Sequence, residues 1–331
     1  MHIVVLAGGI GGARFLQGVR RHARATGARV TAIVNVGDDI TVHGLRVCPD
    51  LDSVMYTLGG GADRDRGWGR ADETWTVKSE LAAYGAQPEW FGLGDRDVAT
   101  HLVRSAMLAA GHPLSAVTRA LCERWRPGVD LLPATDDRLE THVETEAGTI
   151  HFQEWWIRSR ARIPARRFVF AGAEAAKPAP EVLAALQSAD AVLLAPSNPV
   201  VSIGPILAVR AVRDAVASGR PPVVGVAPII GGAPVRGMAD ACLAALGVEC
   251  SAAAVGRLYG ARGAGGGPGP TGGGWPQGPG MLDGWLVDAD ADAGAEVPGV
   301  TVRAVPLWMA DEAATAAMVA AALAVAREVA R

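Results

Sequence analysis

Residues 2–7, HIVVLA, form a continuous apolar run closed by glycines. An unbroken run of this length fits a strand covered on both faces, as in a parallel sheet. The segment after the glycines, ARFLQGVRRHARATG, has helical character, and VTAIVNV (30–36) is apolar again. Strand, glycine turn, helix, strand is a βαβ unit, whose crossover is right-handed. The pattern returns at ADAVLLAPS (189–197) and PPVVGVAPI (221–229), with the helical GPILAVRAVRDAVASG between them. It returns once more at VTVRAVPL (300–307), before an Ala-rich terminal helix. Together these runs predict an α/β fold: a Rossmann-like, three-layer arrangement around a mostly parallel sheet.

The middle of the chain has a different pattern. TWTVKSELAAYG and RDVATHLVRSAMLAAG are helix-like, and HVETEAGTIHFQEWWI (142–157) alternates about an Ala-Gly turn, as a β-hairpin does. The expected organisation is a sheet domain from 1–60 and 170–331, with an inserted, largely helical lobe over 61–169 that carries the hairpin. Residues 260–281, GARGAGGGPGPTGGGWPQGPGM, are almost all Gly and Pro and are expected to form a flexible surface loop.

The chain has 331 residues, half of them hydrophobic, enough for one large α/β domain or a domain plus a smaller lobe. Its net charge of −3 gives no electrostatic reason to expect a nucleic acid or an acidic membrane surface as partner. The four cysteines show no CxxC spacing, which argues against zinc or a disulfide framework and points to a reducing cytoplasm. The start lacks the basic residues of a signal peptide, and no run reaches the ~18 apolar residues of a membrane span.

The candidate chemistry gathers in the turns after the apolar runs. LAGGIGGARF (6–15) puts Gly8, Gly9, Gly11 and Gly12 in the first βα turn. The dinucleotide fingerprint fails there, because Arg14 stands where its third glycine belongs, and no GK[ST] follows to make a Walker loop. What remains is a turn whose amides and helix dipole suit a phosphate, with Arg14 as an added cation. NVGDDITVHG and CPDLDS then bring Asn35, Asp38, Asp39, Asp50 and Asp52 beyond the second strand. Carboxylates near phosphates usually need a cation between them, and Mg²⁺ suits this role. Asp50 or Asp52 is equally suited to cap a helix begun by DSVMYTLGG.

FGLGDRDVATH contributes Gly92 and Asp95, the latter a natural cap for a helix starting near Arg96. Arg96 and Asp97 could pair on its first turn, and His101 reads as packed or exposed. APSNPVVSIGPI offers Ser197, Asn198 and Ser202 at a strand end, and PIIGGAPVRG repeats the arrangement with Gly231, Gly232 and Arg236. The Trp pair in HFQEWWIRSR reads as lobe packing, or as an aromatic wall for a flat ligand. No Ser-His-Asp arrangement can be assembled.

With these stretches in hand, the chain closely resembles the 2-phospholactate (or phosphoenolpyruvate) transferases of coenzyme F420 biosynthesis. GGIGGARFL, VNVGDD, CPDLD, MYTLGGG, WFGLGDRDVATHLVRS, HFQEWW, APSNPVVSIGPI, PIIGGAPVRGMAD and LDGWLV carry the likeness in order along nearly the whole chain. The Gly/Pro segment departs from the pattern as an insertion outside every motif. The resemblance implies a guanosine diphosphate-linked donor carrying a three-carbon acid, enolpyruvyl or lactyl. The implied acceptor is the 5-deazaflavin Fo, whose ribityl hydroxyl displaces GMP. It also implies Mg²⁺ on Asp38, Asp50 and Asp52, with Asp52, then Asp50, as catalytic carboxylates. The glycine turn and Arg14 would hold the diphosphate, and Gly92 would let the deazaflavin approach the backbone. The Ser197–Asn198 and Gly231–Gly232 loops would hold the guanosine. A homodimer in the cytoplasm is expected on the same ground. RGWGRADETW and ELAAYGAQPEWFGLGDRD look like the actinobacterial branch, which favours the enolpyruvyl donor. Two rivals remain: a nucleotide-sugar-binding regulator of the same fold, and a nicotinamide-dependent dehydrogenase, which the missing glycine disfavours.

Overall fold

The computed structural model describes residues 1–63, 65–263 and 273–330. Seven strands build the central sheet: β1 (His2–Ala7), β2 (Arg29–Val34), β3 (Asp130–Pro133), β4 (Ala191–Leu194), β5 (Val223–Val226), β6 (Gly284–Asp288) and β7 (Thr301–Val305). Their order across the sheet is β7-β6-β5-β4-β1-β2-β3, and every neighbouring pair is parallel. Every residue of β1, β4, β5 and β6 is buried, which is why β1, β4 and β5 read as apolar runs rather than alternating ones. The winding direction reverses between β1 and β4. In an open parallel sheet the carboxyl ends of the strands flanking such a reversal leave a crevice, because their following loops turn away from each other.

Helix α1 (Gly9–Thr26) packs Phe15, Leu16 and Val19 into the core, and the terminal helix Glu312–Val329 lies beside it. Helices α2 (Pro49–Leu58), α3 (Thr76–Ala83), α4 (Asp95–Ala109) and α5 (Leu114–Trp125) come between β2 and β3. The hairpin Glu140–Thr145/Gly148–His151 forms as expected, with Arg167–Ala171 added as a third antiparallel strand. Among the described residues no helix is long and apolar enough to cross a membrane.

Two sheet strands lie where no apolar run was singled out. DLLP is short and ends in proline, and GWLVD opens on glycine. Their place is settled by neighbours, β2 and β5, rather than by local pattern. Because β3 belongs to the main sheet, α3, α4 and α5 of the 61–169 stretch all precede it, and after it come the hairpin and a π-helical turn, Glu154–Arg158. Of the 260–281 segment, residues 264–272 lie outside the described residues. At its far side Trp275 is buried against Tyr259, and Met281 is buried as well.

Candidate active site

A cavity of about 900 Å³ opens at the carboxyl ends of β1 and β4, where the winding reverses. Gly8, Gly9, Gly11 and Arg14 line one side of it, with Ser197, Asn198 and Arg236. The glycine turn is clamped to the loop after β4: Ser197 Oγ donates to the Gly8 carbonyl at 2.7 Å and accepts from the Gly8 N–H at 3.2 Å. A Cβ on Gly8 would lie 2.6 Å from Asp50 Oδ2 and 2.8 Å from Ser202 Cβ. One on Gly12 would lie 2.7 Å from Ser197 Oγ, so the helix start can approach both loops only without side chains there. Gly12 itself is buried behind the turn and does not line the cavity. Asn198 does line it, while its Oδ1 accepts from the Val200 and Val201 N–H groups and fixes the loop.

Arg14 and Arg236 both reach the cavity from this side. Arg236 holds its proton less tightly than usual, through burial and then the nearby charge of Arg14. Among the described residues neither makes an ion pair. Two cations that repel each other and face a cavity next to a helix N-terminus make a strong anion site.

The floor is acidic. Asn35 is fully buried, and its amide donates to Asp38 Oδ1 at 3.0 Å and to Asp50 Oδ2 at 2.9 Å. The two carboxylates thus face one neutral group. Burial, then the charge of Asp50, pushes the Asp38 carboxyl well above its ordinary range. Burial pushes Asp50 up to about 6 despite the Asn35 and Gly9 N–H donors. Two buried carboxylates short of positive charge, beside a phosphate-type turn, suit Mg²⁺, which needs only one or two carboxylates when phosphates and waters complete its shell.

Asp52 is not part of that pair. Helix α2 begins at Pro49, earlier than DSVMYTLGG suggests, with the rigid ring of Pro49 in its first turn. Asp50 and Asp52 therefore both sit in the first turn, and residues two apart on a helix point to different sides. Asp52 Oδ1 accepts from Arg104, and among the described residues no three acidic, His or Cys side chains cluster to hold a metal. The three carboxylates expected together divide: Asp38 and Asp50 share Asn35, and Asp52 pairs with Arg104.

Around Asp52 the structure assembles a chain of contacts that sequence reading did not anticipate. The Arg104 guanidinium also donates to His101 Nδ1 at 3.0 Å. Because arginine can only donate, Nδ1 is the acceptor and the neutral imidazole carries its proton on Nε2. That nitrogen faces Asp97 Oδ2 at 3.4 Å, and Asp97 Oδ1 accepts from the Tyr56 hydroxyl at 2.6 Å. Tyr56, Asp97, His101 and Asp52 all line the cavity. The signal was present as spacing: Asp97, His101 and Arg104 stand at i, i+4 and i+7 on α4, one polar stripe turned inward.

Asp95 behaves otherwise than expected. Gly94 occupies the cap position of α4, and Asp95 instead caps α3, accepting from Thr76 N–H, Val77 N–H and the Thr74 hydroxyl. It does not line the cavity. Nor does Gly231, whose N–H donates to Asp292 at 3.0 Å. Arg96 approaches Asp72 at 3.8 Å rather than Asp97.

Another part of the wall is aromatic. Trp68, Trp75, Trp90 and Phe91 line it, with Gly92 between them and Lys78 beside Trp75. Of the HFQEWW stretch, Trp155 is packed in the core while Phe152, Gln153 and Trp156 line the cavity. Trp156 lies against Gly237, joining this segment to the Arg236 loop.

A family model described as "2-phospho-L-lactate transferase CofD" matches residues 3–299. A protein named phosphoenolpyruvate transferase from Thermobifida fusca is 60% identical, the match covering 99% of this chain and 98% of that one. Relatives of the same name from Nocardia farcinica and Mycolicibacterium smegmatis are 59% and 56% identical over 97% and 98% of the chain. Among solved structures, a UPF0052 family protein from Bacillus halodurans covers 97% of this chain and 99% of its own, with a TM-score of 0.60 at 17% identity. That likeness is one of fold.

Proposed function

Because the chain belongs to the 2-phospho-L-lactate transferase CofD family, we propose that it is the coenzyme F420 pathway enzyme that joins a phosphorylated three-carbon acid to the deazaflavin Fo. The donor is enolpyruvyl-linked guanosine diphosphate, and the product is dehydro-coenzyme F420-0. The relatives' printed name supports the enolpyruvyl over the lactyl donor. The observation that carries this reading is the lining of one cavity, which brings together a glycine turn at a helix start, two arginines without an ion pair among the described residues, and a set of aromatic side chains.

In this reading the glycine turn, Arg14 and Arg236 hold the diphosphate, and the Asn198 loop borders the guanosine. The flat deazaflavin lies between Trp68, Trp75, Trp90 and Phe91, and its ribityl chain runs toward the acidic floor. The terminal hydroxyl oxygen attacks the phosphorus that bears the acid. The bond from that phosphorus to the bridging oxygen breaks, and GMP leaves with that oxygen. Asp52, which lines the cavity and is held by Arg104, takes the hydroxyl proton. Asp38 and Asp50 would hold Mg²⁺, which when bound neutralises charge on the diphosphate. Transfer of this kind needs positioning and charge neutralisation more than covalent help from the protein.

The test is purified protein with Fo, Mg²⁺ and each donor, read by product mass. The two products differ by two hydrogens. A product with the enolpyruvyl donor and release of GMP support the reading; Fo unchanged with either donor overturns it.

A further inference from the structure

Lys78 is one of only two lysines in the chain, the other being Lys177. It projects from α3 toward the aromatic side of the cavity, and Nζ lies 5.7 Å from the centre of the Trp75 ring. A Cβ built on Gly92 would stand 3.3 Å from Nζ and 3.5 Å from the Trp75 ring, so the ammonium hangs over the floor of the slot at the GLGD turn. Among the described residues it makes no ion pair. Two carboxylates beside the start of α3 are used elsewhere: Glu73 accepts from the Arg96 and Asp97 N–H groups, and Asp95 caps α3. The cavity is therefore lined by a third cation besides Arg14 and Arg236, at its aromatic wall; Arg66 also lies over the Trp75 ring, at 5.2 Å, but is paired with Asp63.

We propose that Lys78 is a specificity-determining residue that selects the acceptor ring as its anion. This rests on the reading of the aromatic slot as the deazaflavin site. The ring hydroxyl of Fo is conjugated through the ring to its carbonyl groups, so its loss of a proton spreads negative charge over a flat system. An ammonium against the edge of an aromatic slot favours that charge, and the Trp75 face keeps the ammonium in place through a cation–π contact. The proton leaves to solvent as the ring binds. A flavin of the same shape without the acidic hydroxyl gains nothing from Lys78, so the residue discriminates between acceptors by ring acidity rather than size.

The experiment is an absorbance titration of Fo with the full-length protein at a pH below the solution pKa of its ring hydroxyl, alongside steady-state kinetics. With the wild type, bound Fo should show the spectrum it has in alkali. With Lys78→Met the shift should vanish and KM for Fo should rise about tenfold, with KM for the donor and kcat little changed. Lys78→Arg should restore the shift. Saturable binding and transfer by the wild type with no spectral shift overturn this inference and leave the functional reading standing. A rise in donor KM instead of Fo KM also overturns it, by assigning Lys78 to the donor carboxylate. Absence of any Fo binding or transfer by the wild type overturns both.

Discussion

Arg104 donates to Asp52 Oδ1 in an ion pair buried on both sides, the arginine side chain 2% and the aspartate 7% exposed, while Asp52 Oδ2 is buried and, among the described residues, makes no hydrogen bond. The pair joins α4 to the first turn of α2. It fixes the orientation of a carboxylate that lines the cavity. One oxygen is spent on orientation, and the other is enclosed in the fold, 3.8 Å from His101 Nδ1.

Asp52→Asn keeps a side chain of the same shape beside Arg104 but removes the charge. We expect transfer to fall at least a hundredfold, roughly 3 kcal/mol of barrier, with KM for both substrates nearly unchanged. Steady-state kinetics with Fo and the enolpyruvyl donor check this. Turnover within a few-fold of wild type would remove Asp52 from the chemistry.

Arg104→Met should be mainly a stability variant. It leaves the Asp52 carboxylate buried without its partner, which costs about 3–5 kcal/mol in comparable sites. The double variant Arg104→Met/Asp52→Asn removes both charges and should recover much of that loss. Thermal unfolding of the two variants side by side measures it. Equal melting temperatures for the single and double variants would mean that the unpaired charge is not what destabilises the fold.

Much of this site is readable in the sequence, and the reason it is only partly so is physical. Asp38, Asp50, the glycine turn and Asn198 follow strands, and a parallel sheet delivers strand ends to one edge. Arg104, His101, Asp97 and Tyr56 are on helices, where a polar residue is usually solvated; the i, i+4, i+7 stripe marks the first three, and nothing marks Tyr56 on α2. The aromatic wall is harder still, because Trp68, Trp75 and Trp90 come from loops and helix ends with no period to connect them. Asp95 misled because Ser, Asn and Asp before a helix normally cap that helix, whereas its carboxylate reaches back to cap α3. In the sheet, β3 and β6 were missed because four or five residues carry too little pattern to outweigh a proline or glycine.

Arg14 and Arg236 should act on the donor alone. Each Arg→Met change removes one charge-assisted contact to a phosphate, so KM for the donor should rise roughly tenfold or more while KM for Fo stays within about twofold. Raising the salt concentration should weaken donor binding in the wild type and less so in the double variant, because fewer charges remain to be screened. A matching rise in KM for Fo would place the arginines at the other end of the cavity.

The acidic floor makes a prediction about stability as well as activity. The Asp50 carboxyl, ordinarily near 3.8, is raised to about 6 in the fold, and Asp38 is raised alongside it. A carboxyl that is harder to ionise when folded helps the fold only while protonated. Its contribution is complete below the unfolded value near 3.8 and is lost as pH rises through about 6. Metal-free protein at pH 7.5 therefore holds two repelling charges against burial. Asp50→Asn should melt higher than wild type at that pH, by roughly 2–5 °C, and the difference should close below pH 4. Added Mg²⁺ should raise the melting temperature of the wild type at pH 7.5 by binding the folded state, and should do little for the variant. The variant should be more stable without metal and nearly inactive with it. An Asp50→Asn protein that melts below wild type at pH 7.5 in chelator would show that Asn35 and the Gly9 N–H already compensate the charge, and would remove the case for a cation between Asp38 and Asp50.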